Sequence, residues 1–395
     1  MRIGIDARFY GPTGKGLGRY VQEVVDNIIK ISEVEIIAQH EYVVFLSPDN
    51  FDEFNSSCAR IKKVKLPCRW YSWQEQLLMP FYLARARLDL IHFPHFNVPL
   101  FVFTPFVVTI HDLILAHFPT LRSTTHSRFV YYLKYLAYRL VIWSALRRAR
   151  LVIAVSKFTK DDIIKEFKLK PEKIVVTYEG VAVLSKGVDS LFVAKLNSSE
   201  VLAQYRIPKE YLLYVGNAYP HKNLEIFIRA FGRLRAERPL VYLVLVGKID
   251  YFYERLRKLA IDQGLLYLNN ENSPIIFAGY VPDAQLEIFY REARAYVFPS
   301  LYEGFGLPPL EALSKSCPVV SSDRASLPEI LGEAALYFNP EQEADILEKM
   351  RIILDDQTLR NRLIAAGRER VKLYSWWECA WQTILAYNSA LKNNQ

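Results

Sequence analysis

Cysteine is scarce in these 395 residues: Cys58, Cys68, Cys317 and Cys379 are scattered, with no close pair. That argues against a disulfide framework or a zinc site and fits a reducing compartment, so the cytosol is the expected location. Long apolar runs are missing too. The most apolar stretch, FNVPLFVFTPFVVTI at 96–110, is too short to span a bilayer and is broken by Pro99 and Pro105, so no transmembrane helix is expected. The opening MRIGIDARFYG has no apolar core region and no small-residue cleavage site, and does not read as a signal peptide. Acids are short only in the first half. Residues 1–180 hold 25 Lys and Arg against 17 Asp and Glu, whereas residues 181–395 hold 25 of each. The whole +8 excess therefore sits in the first half. It points either to an anionic partner there (nucleic acid, acidic lipid headgroup or phosphorylated substrate) or to ordinary solubility charge.

What is present is a folded, globular composition, 51% hydrophobic and 23% charged, in a chain longer than one core supports. Short apolar runs alternate with helical patterns from end to end. RIGID (2–6), YVVFL (42–46), LDLIHF (88–93), FVVTI (106–110), LVIAV (151–155) and KIVVT (173–177) read as strands in the first half. In the second half the strand candidates are YLLYVG (211–216), VYLVLVG (241–247), PIIFAG (274–279), RAYVFP (294–299), CPVVSS (317–322) and ALYF (335–338). Several lack strict alternation, as strands covered on both faces of a parallel sheet do. Two doubly wound α/β domains follow, 1–190 and 191–372, with a helix at 373–395 that could pack back on the first. Ligands in such folds bind outside the carboxyl ends of the strands, and with two domains the expected place is the cleft between them.

The strand-end motifs are accordingly the ones that carry chemistry. GPTGKGLGRY (11–20) places Gly11, Gly14, Gly16 and Gly18 between the first strand and a helix, which suits either close approach to a phosphate or a plain strand-to-helix turn. FVVTI ends in His111, a residue able to exchange a proton near neutrality or donate to a sugar hydroxyl, or simply to serve the fold. His92 and His95 lack a third ligand in pattern and read as structural. GNAYPHKN (216–223) brings Gly216, Asn217, His221 and Lys222 to one strand end, where the lysine suits a diphosphate. PSLYEGFGLPPLEAL (299–313) places Glu303 in a loop, Gly304-Phe305-Gly306 as unhindered backbone, Leu307-Pro308-Pro309 at a helix start and Glu311 one turn in. Two carboxylates would repel a bare phosphate. They are better used as hydroxyl acceptors on either side of one, which describes a nucleotide sugar.

Taken together, Glu303…Glu311 in an E-x7-E pattern, GNAYPHKN, FAGYVPDAQL (277–286) and VSKFTKDDI (155–163) resemble the retaining glycosyltransferases of family 4, over nearly the whole chain. The resemblance implies a GT-B fold, with two Rossmann-like domains, an acceptor-binding one first and a donor-binding one second. It implies that Glu303 binds donor-sugar hydroxyls, that the Gly304, Phe305, Gly306 and Leu307 amides face sugar and phosphate, that Glu311 holds the ribose and that Lys222 neutralises the diphosphate. Tyr280 and Val281 would face the base, and His111 the transferred sugar. The family's usual arginine five residues before the lysine is Asn217 here, leaving more of the diphosphate to Lys222 and the loop with Gly16. The TIHDL…FP and GNxxPHKN subset resembles bacterial surface-polysaccharide mannosyltransferases, so GDP-mannose is the implied donor. No cofactor, no metal and no protein nucleophile are implied.

A glycan or lipid-diphosphate-linked acceptor would give the first half's basicity a purpose at the inner face of an anionic membrane. RFVYYLKYLAYRLVIWSALRRAR (128–150) holds six cations, six aromatics and no acid, which fits that surface. Its cations do not segregate on a helical wheel, so a buried helix with charged ends fits as well. RIKKVKLPCRWYSW (60–73) is another such segment. A glycoside hydrolase would need a carboxylate pair across the bond. An epimerase or phosphorylase would share the architecture. A nucleic-acid-binding protein would leave the donor-type loop of the neutral half unexplained, and no nucleic acid is expected as a partner.

Overall fold

The computed structural model describes residues 1–11, 15–34, 40–118, 128–181, 196–267 and 272–392. Two compact units form, residues 1–180 with 374–395, and residues 181–373. The expected boundary at 190 lies outside the described residues, as does Gly14.

Among the described residues of the first unit, β1 (Arg2–Asp6), β2 (Glu41–Leu46), β3 (Ile61–Lys65), β4 (Leu90–Phe93), β5 (Phe106–Ile110), β6 (Leu151–Ala154) and β7 (Ile174–Val176) form a parallel sheet. Its order is β3-β2-β1-β4-β5-β6-β7. The inner strands are buried on both faces, which is why their sequences run apolar without alternation. β3 is the exception and was not expected as a strand. It is an edge strand, and Lys62, Lys63 and Lys65 give it the charge that keeps an open edge from pairing with another chain.

Helices α1 (Lys15–Val34), α2 (Trp73–Ala86), α3 (Arg128–Arg148) and α4 (Lys157–Phe167) join the strands. α2 starts where Ser72 Oγ accepts from the Glu75 amide (3.2 Å) and Glu75 reaches back to the Tyr71 amide (2.9 Å), close to a capping box. One apolar cluster joins the sheet to Met79 and Leu83 of α2, Ile142 and Leu146 of α3 and Ile163 and Phe167 of α4. The C-terminal helix Trp376–Lys392 packs on α1. It is fixed by Tyr387 Oη to His92 Nδ1 at 2.7 Å and by Asn388 Oδ1 to His40 Nε2 at 2.8 Å.

In the second unit β8 (Tyr211–Val215), β9 (Tyr242–Val246), β10 (Ile275–Gly279), β11 (Ala295–Phe298), β12 (Val319–Ser322) and β13 (Ala335–Phe338) form a parallel sheet in the order β10-β9-β8-β11-β12-β13. Helix α5 (Leu224–Glu237) buries Leu224, Phe227, Ile228, Phe231 and Leu234, the one-face spacing of its sequence. Each such side chain contributes about 1.5–3 kcal/mol of gross burial energy. Helix α6 (Leu307–Ser314) follows β11. In both sheets the direction of growth reverses once, between β1 and β4 and between β8 and β11. Those two reversals are where the loops part and leave room for a ligand.

Candidate functional site

At the β8/β11 reversal, the loop after β8 carries Gly216, Asn217, His221 and Lys222, and the loop after β11 carries Glu303 to Gly306. The Leu301 amide donates to the His221 carbonyl (2.8 Å) and ties the two loops together. Lys222 Nζ donates to Glu303 Oε1 at 2.5 Å and stands 5.3 Å from the Phe298 ring centroid. Lys222 is 9% and Glu303 8% exposed, so each charge depends on the other to offset its burial. Burial, with Lys222 alongside, pushes His221 down to about 4 and keeps it neutral.

Three tyrosines that sequence reasoning missed hold the floor. Tyr214 Oη donates to the Asn217 carbonyl (2.7 Å), Tyr253 Oη to Gly216 (2.8 Å) and Tyr296 Oη to Val215 (3.1 Å). Ser326, also missed, brings its hydroxyl to 3.0 Å from the Glu303 carbonyl and 2.9 Å from that of Phe305. Gly306 has φ +102°, and a Cβ there would lie 2.8 Å from Leu327 Cδ2, so only glycine fits the entry to α6. Leu307 and its prolines open the helix, and Glu311 sits one turn in, half-buried. Tyr280, after β10, is exposed; Val281 is buried. Asn217 is exposed, with Oδ1 accepting from the Tyr219 amide at 3.3 Å.

The first unit builds a different cluster at its β1/β4 reversal. Buried Arg8 bridges Asp6 (2.7 and 2.8 Å) and Glu75 (2.6 Å), and Asn97 Nδ2 donates to the other Glu75 oxygen (2.8 Å). Burial raises the Glu75 pKa, and Arg8 opposes the rise. Beside this cluster Phe9 stacks on Trp70 at 3.9 Å, with His95 5.6 Å from Phe9. His111, after β5, bonds Glu179 Oε1 through Nδ1 (2.9 Å) and the Pro94 carbonyl through Nε2 (3.0 Å). Both partners are acceptors, an arrangement that favours the doubly protonated ring. Burial opposes that charge, but the Glu179 carboxylate outweighs it and the His111 pKa is raised. The surroundings of His111 thus favour its charged form. Gly16 lies in the first turn of α1, exposed, with open space where a Cβ would be.

The structure therefore brings Gly216, Asn217, Lys222, Glu303, Gly304, Phe305, Gly306 and Leu307 together at one strand reversal, with Glu311 on the helix that leaves it. Gly16 and His111 belong to the other unit. His92 is buried between Thr109 Oγ1 (2.8 Å) and Tyr387, and burial lowers it to about 3. Among the described residues no three His, Cys, Asp or Glu side chains converge as a metal site.

Two family models match this chain, Glycosyltransferase Family 4 over residues 15–183 and Glycosyl transferases group 1 over residues 198–370. O-antigen chain mannosyltransferase B of Escherichia coli is 30% identical over 387 residues, 94% of this chain and 95% of that protein. O-antigen chain mannosyltransferase RfbU of Salmonella typhimurium is 26% identical over 343 residues, 84% and 85% of the two chains. The solved sucrose-phosphate synthase of Thermosynechococcus elongatus superposes with a TM-score of 0.73 at 19% identity, covering all of both chains. Two doubly wound sheets of this kind define the GT-B fold, and the molecule is a hexosyltransferase. The chain belongs to glycosyltransferase family 4.

Proposed function

We propose that this enzyme is a retaining mannosyltransferase of bacterial surface-polysaccharide assembly, moving mannose from GDP-mannose to a glycan or lipid-diphosphate-linked glycan without a bound metal. The buried Lys222–Glu303 pair carries the reading. A diphosphate arriving at the α6 amino terminus competes with Glu303 for the Lys222 ammonium, and Glu303, once relieved, accepts hydrogen bonds from the sugar hydroxyls. The Gly304–Leu307 backbone faces sugar and phosphate, Glu311 takes the ribose, and Asn217 flanks the diphosphate. Tyr280 offers an exposed ring to the base, and buried Val281 only its backbone. His111 supplies positive charge near the transferred sugar. In the transfer the bond from the anomeric carbon to the phosphate oxygen breaks, the bond to the acceptor oxygen forms on the same face, and the acceptor proton goes to the departing phosphate. The protein's part is positioning and electrostatics.

The mannose assignment is supported by the two O-antigen mannosyltransferases among the relatives. The same reading puts the enzyme in the cytoplasm, at the inner face of the membrane. The test is a thermal-shift and turnover screen of GDP- and UDP-sugars. GDP-mannose should stabilise the protein and be turned over. Stabilisation by a UDP-sugar alone would overturn the donor, and stabilisation by no nucleotide would overturn the transfer site itself.

A further inference from the structure

The first unit gathers five rings where three of its strands end: Phe9 after β1, Trp70 and Tyr71 after β3, and His95 and Phe96 after β4. Phe9 lies flat on Trp70, 3.9 Å away with 4° between the planes. His95 stands 5.6 Å from Phe9 and 4.1 Å from Phe96, and Tyr71 meets it edge-on at 6.1 Å. Tyr71 is 65% exposed and the other four are half-buried, so the group is open to a ligand. Tyr71 also sits at φ +57°, a left-handed conformation that a bulky residue keeps only where its surroundings enforce it. Here the Tyr71 amide is held by Glu75 Oε2 at 2.9 Å. A strained backbone that presents an aromatic ring to water points to something the ring binds.

The polar groups beside the rings decide what that is. Arg8 is 1% exposed and turns its nitrogens to Asp6, Glu75 and Cys68, so it offers nothing to an anion. One cation faces two carboxylates there, which disfavours a phosphate. The groups left for a ligand are neutral. Burial, with His111 nearby, lowers His95 to about 3 and keeps the ring uncharged. Its Nδ1 faces two donors, the Asn97 amide (3.4 Å) and the Tyr71 hydroxyl (3.5 Å), so the ring proton sits on Nε2, which bonds nothing among the described residues. Aromatic faces with one neutral N–H match a pyranose, whose C–H face stacks on a ring while a hydroxyl accepts. The Pro94 carbonyl, one residue before His95, bonds His111 Nε2 (3.0 Å), so the turn that carries His95 is tied to the residue assigned to the transferred sugar.

We infer that Phe9, Trp70, Tyr71 and His95 form a platform for a neutral pyranose of the acceptor, so that a sugar ring, and not a lipid diphosphate, is what this site recognises. The inference deepens the acceptor side of the transferase reading and rests on it, but its test needs no sugar transfer. The full chain is mixed with methyl α-mannoside, methyl α-glucoside and methyl N-acetyl-β-glucosaminide, the protein's aromatic protons are saturated, and transfer of saturation to each sugar is read by NMR. Saturation is expected on at least one glycoside, and inorganic diphosphate should not displace it. Tyr71→Asn, which suits the left-handed backbone, should weaken the signal about tenfold and Tyr71→Phe by no more than about twofold, both with the nucleotide thermal shift intact. If Tyr71→Asn does not fold, the bound glycoside should still change the tryptophan emission of the unmodified protein, and Trp70→Phe should remove that change. No saturation, displacement by diphosphate, an undiminished signal from Tyr71→Asn, or an emission change that survives Trp70→Phe would each overturn the inference. So would loss of the nucleotide shift in a folded Tyr71→Asn, because the ring would then serve the base. A nucleotide shift without saturation would sink the platform and leave the transferase reading standing; saturation without any nucleotide shift would do the reverse.

Discussion

At the scale of single residues, the Lys222–Glu303 contact couples stability to chemistry. Truncating Glu303 leaves an ammonium buried with no counter-charge, a loss of about 3–5 kcal/mol before any catalytic effect is read. Glu303→Gln keeps an oxygen that accepts from Lys222 but not the counter-charge, so it retains the packing and part of the stability loss. Its expected outcome is a smaller loss of melting temperature than Glu303→Ala shows, with transfer reduced on the order of 10²-fold or more. Glu311→Ala should instead raise the donor KM about tenfold, with kcat little changed. Donor titrations and initial rates separate the two, and equal small effects from both would contradict a hydroxyl clamp at each end of the donor. The two glutamates were legible because both lie in one continuous strand-end stretch, PSLYEGFGLPPLEAL, whose E-x7-E pattern carries the family resemblance. The tyrosines and Ser326 were not, since Tyr253 and Ser326 act on backbone carbonyls 37 and 23 residues away and a phenol under a strand end looks like any core aromatic. Arg8 and Glu75 were hidden for the same reason, 67 residues apart and joined only by folding.

Among the elements, α1 shows how glycines of one motif differ. A Cβ on Gly18 would lie 2.2 Å from the Gly11 carbonyl oxygen and 2.7 Å from that of Phe9, so the helix can approach the strand end only with glycine there. Gly16 has nothing near. Gly18→Ala should therefore cost about 1–3 kcal/mol by forcing backbone apart, whereas Gly16→Ala should stay within about 0.5 kcal/mol, as measured by urea melts. The motif singles out Gly16 for the donor and says nothing of the crowding at Gly18, because crowding depends on a neighbour that only the fold supplies. Strands with continuous Val, Ile, Leu or Phe were readable directly; β3 was not, since IKKVK carries the signature of a solvated charge run until an edge explains it. α3 defeated the helical wheel for a physical reason: it is apolar on its buried side and on its exposed side alike, so neither a surface helix nor a core helix with charged ends describes it.

For the whole molecule, the charge asymmetry read from composition has a location, since residues 54–150 hold fourteen Lys and Arg but only three of the seventeen acids of the first half. The alternation of strand and helix was enough to foresee two doubly wound units, while the surroundings of each strand end were not, because they draw on loops from distant parts of the chain. The helix Trp376–Lys392 completes a unit it does not follow in sequence. Removing 374–395 strips the cover from α1 and leaves His92 and His40 without Tyr387 and Asn388. Limited proteolysis of that truncated chain should find residues 1–180 cut rapidly and residues 181–373 resistant; equal resistance of both would show the helix to be dispensable.

The same threading sets a schedule during synthesis. Residues 1–180 leave the ribosome first yet cannot close over α1 until all of 181–373 has been made, a wait of roughly 10 to 40 s at ordinary elongation rates. The unit encoded second is thus the first that can finish, and the nascent first unit spends that interval with the apolar flank of its leading helix uncovered, a substrate for chaperones.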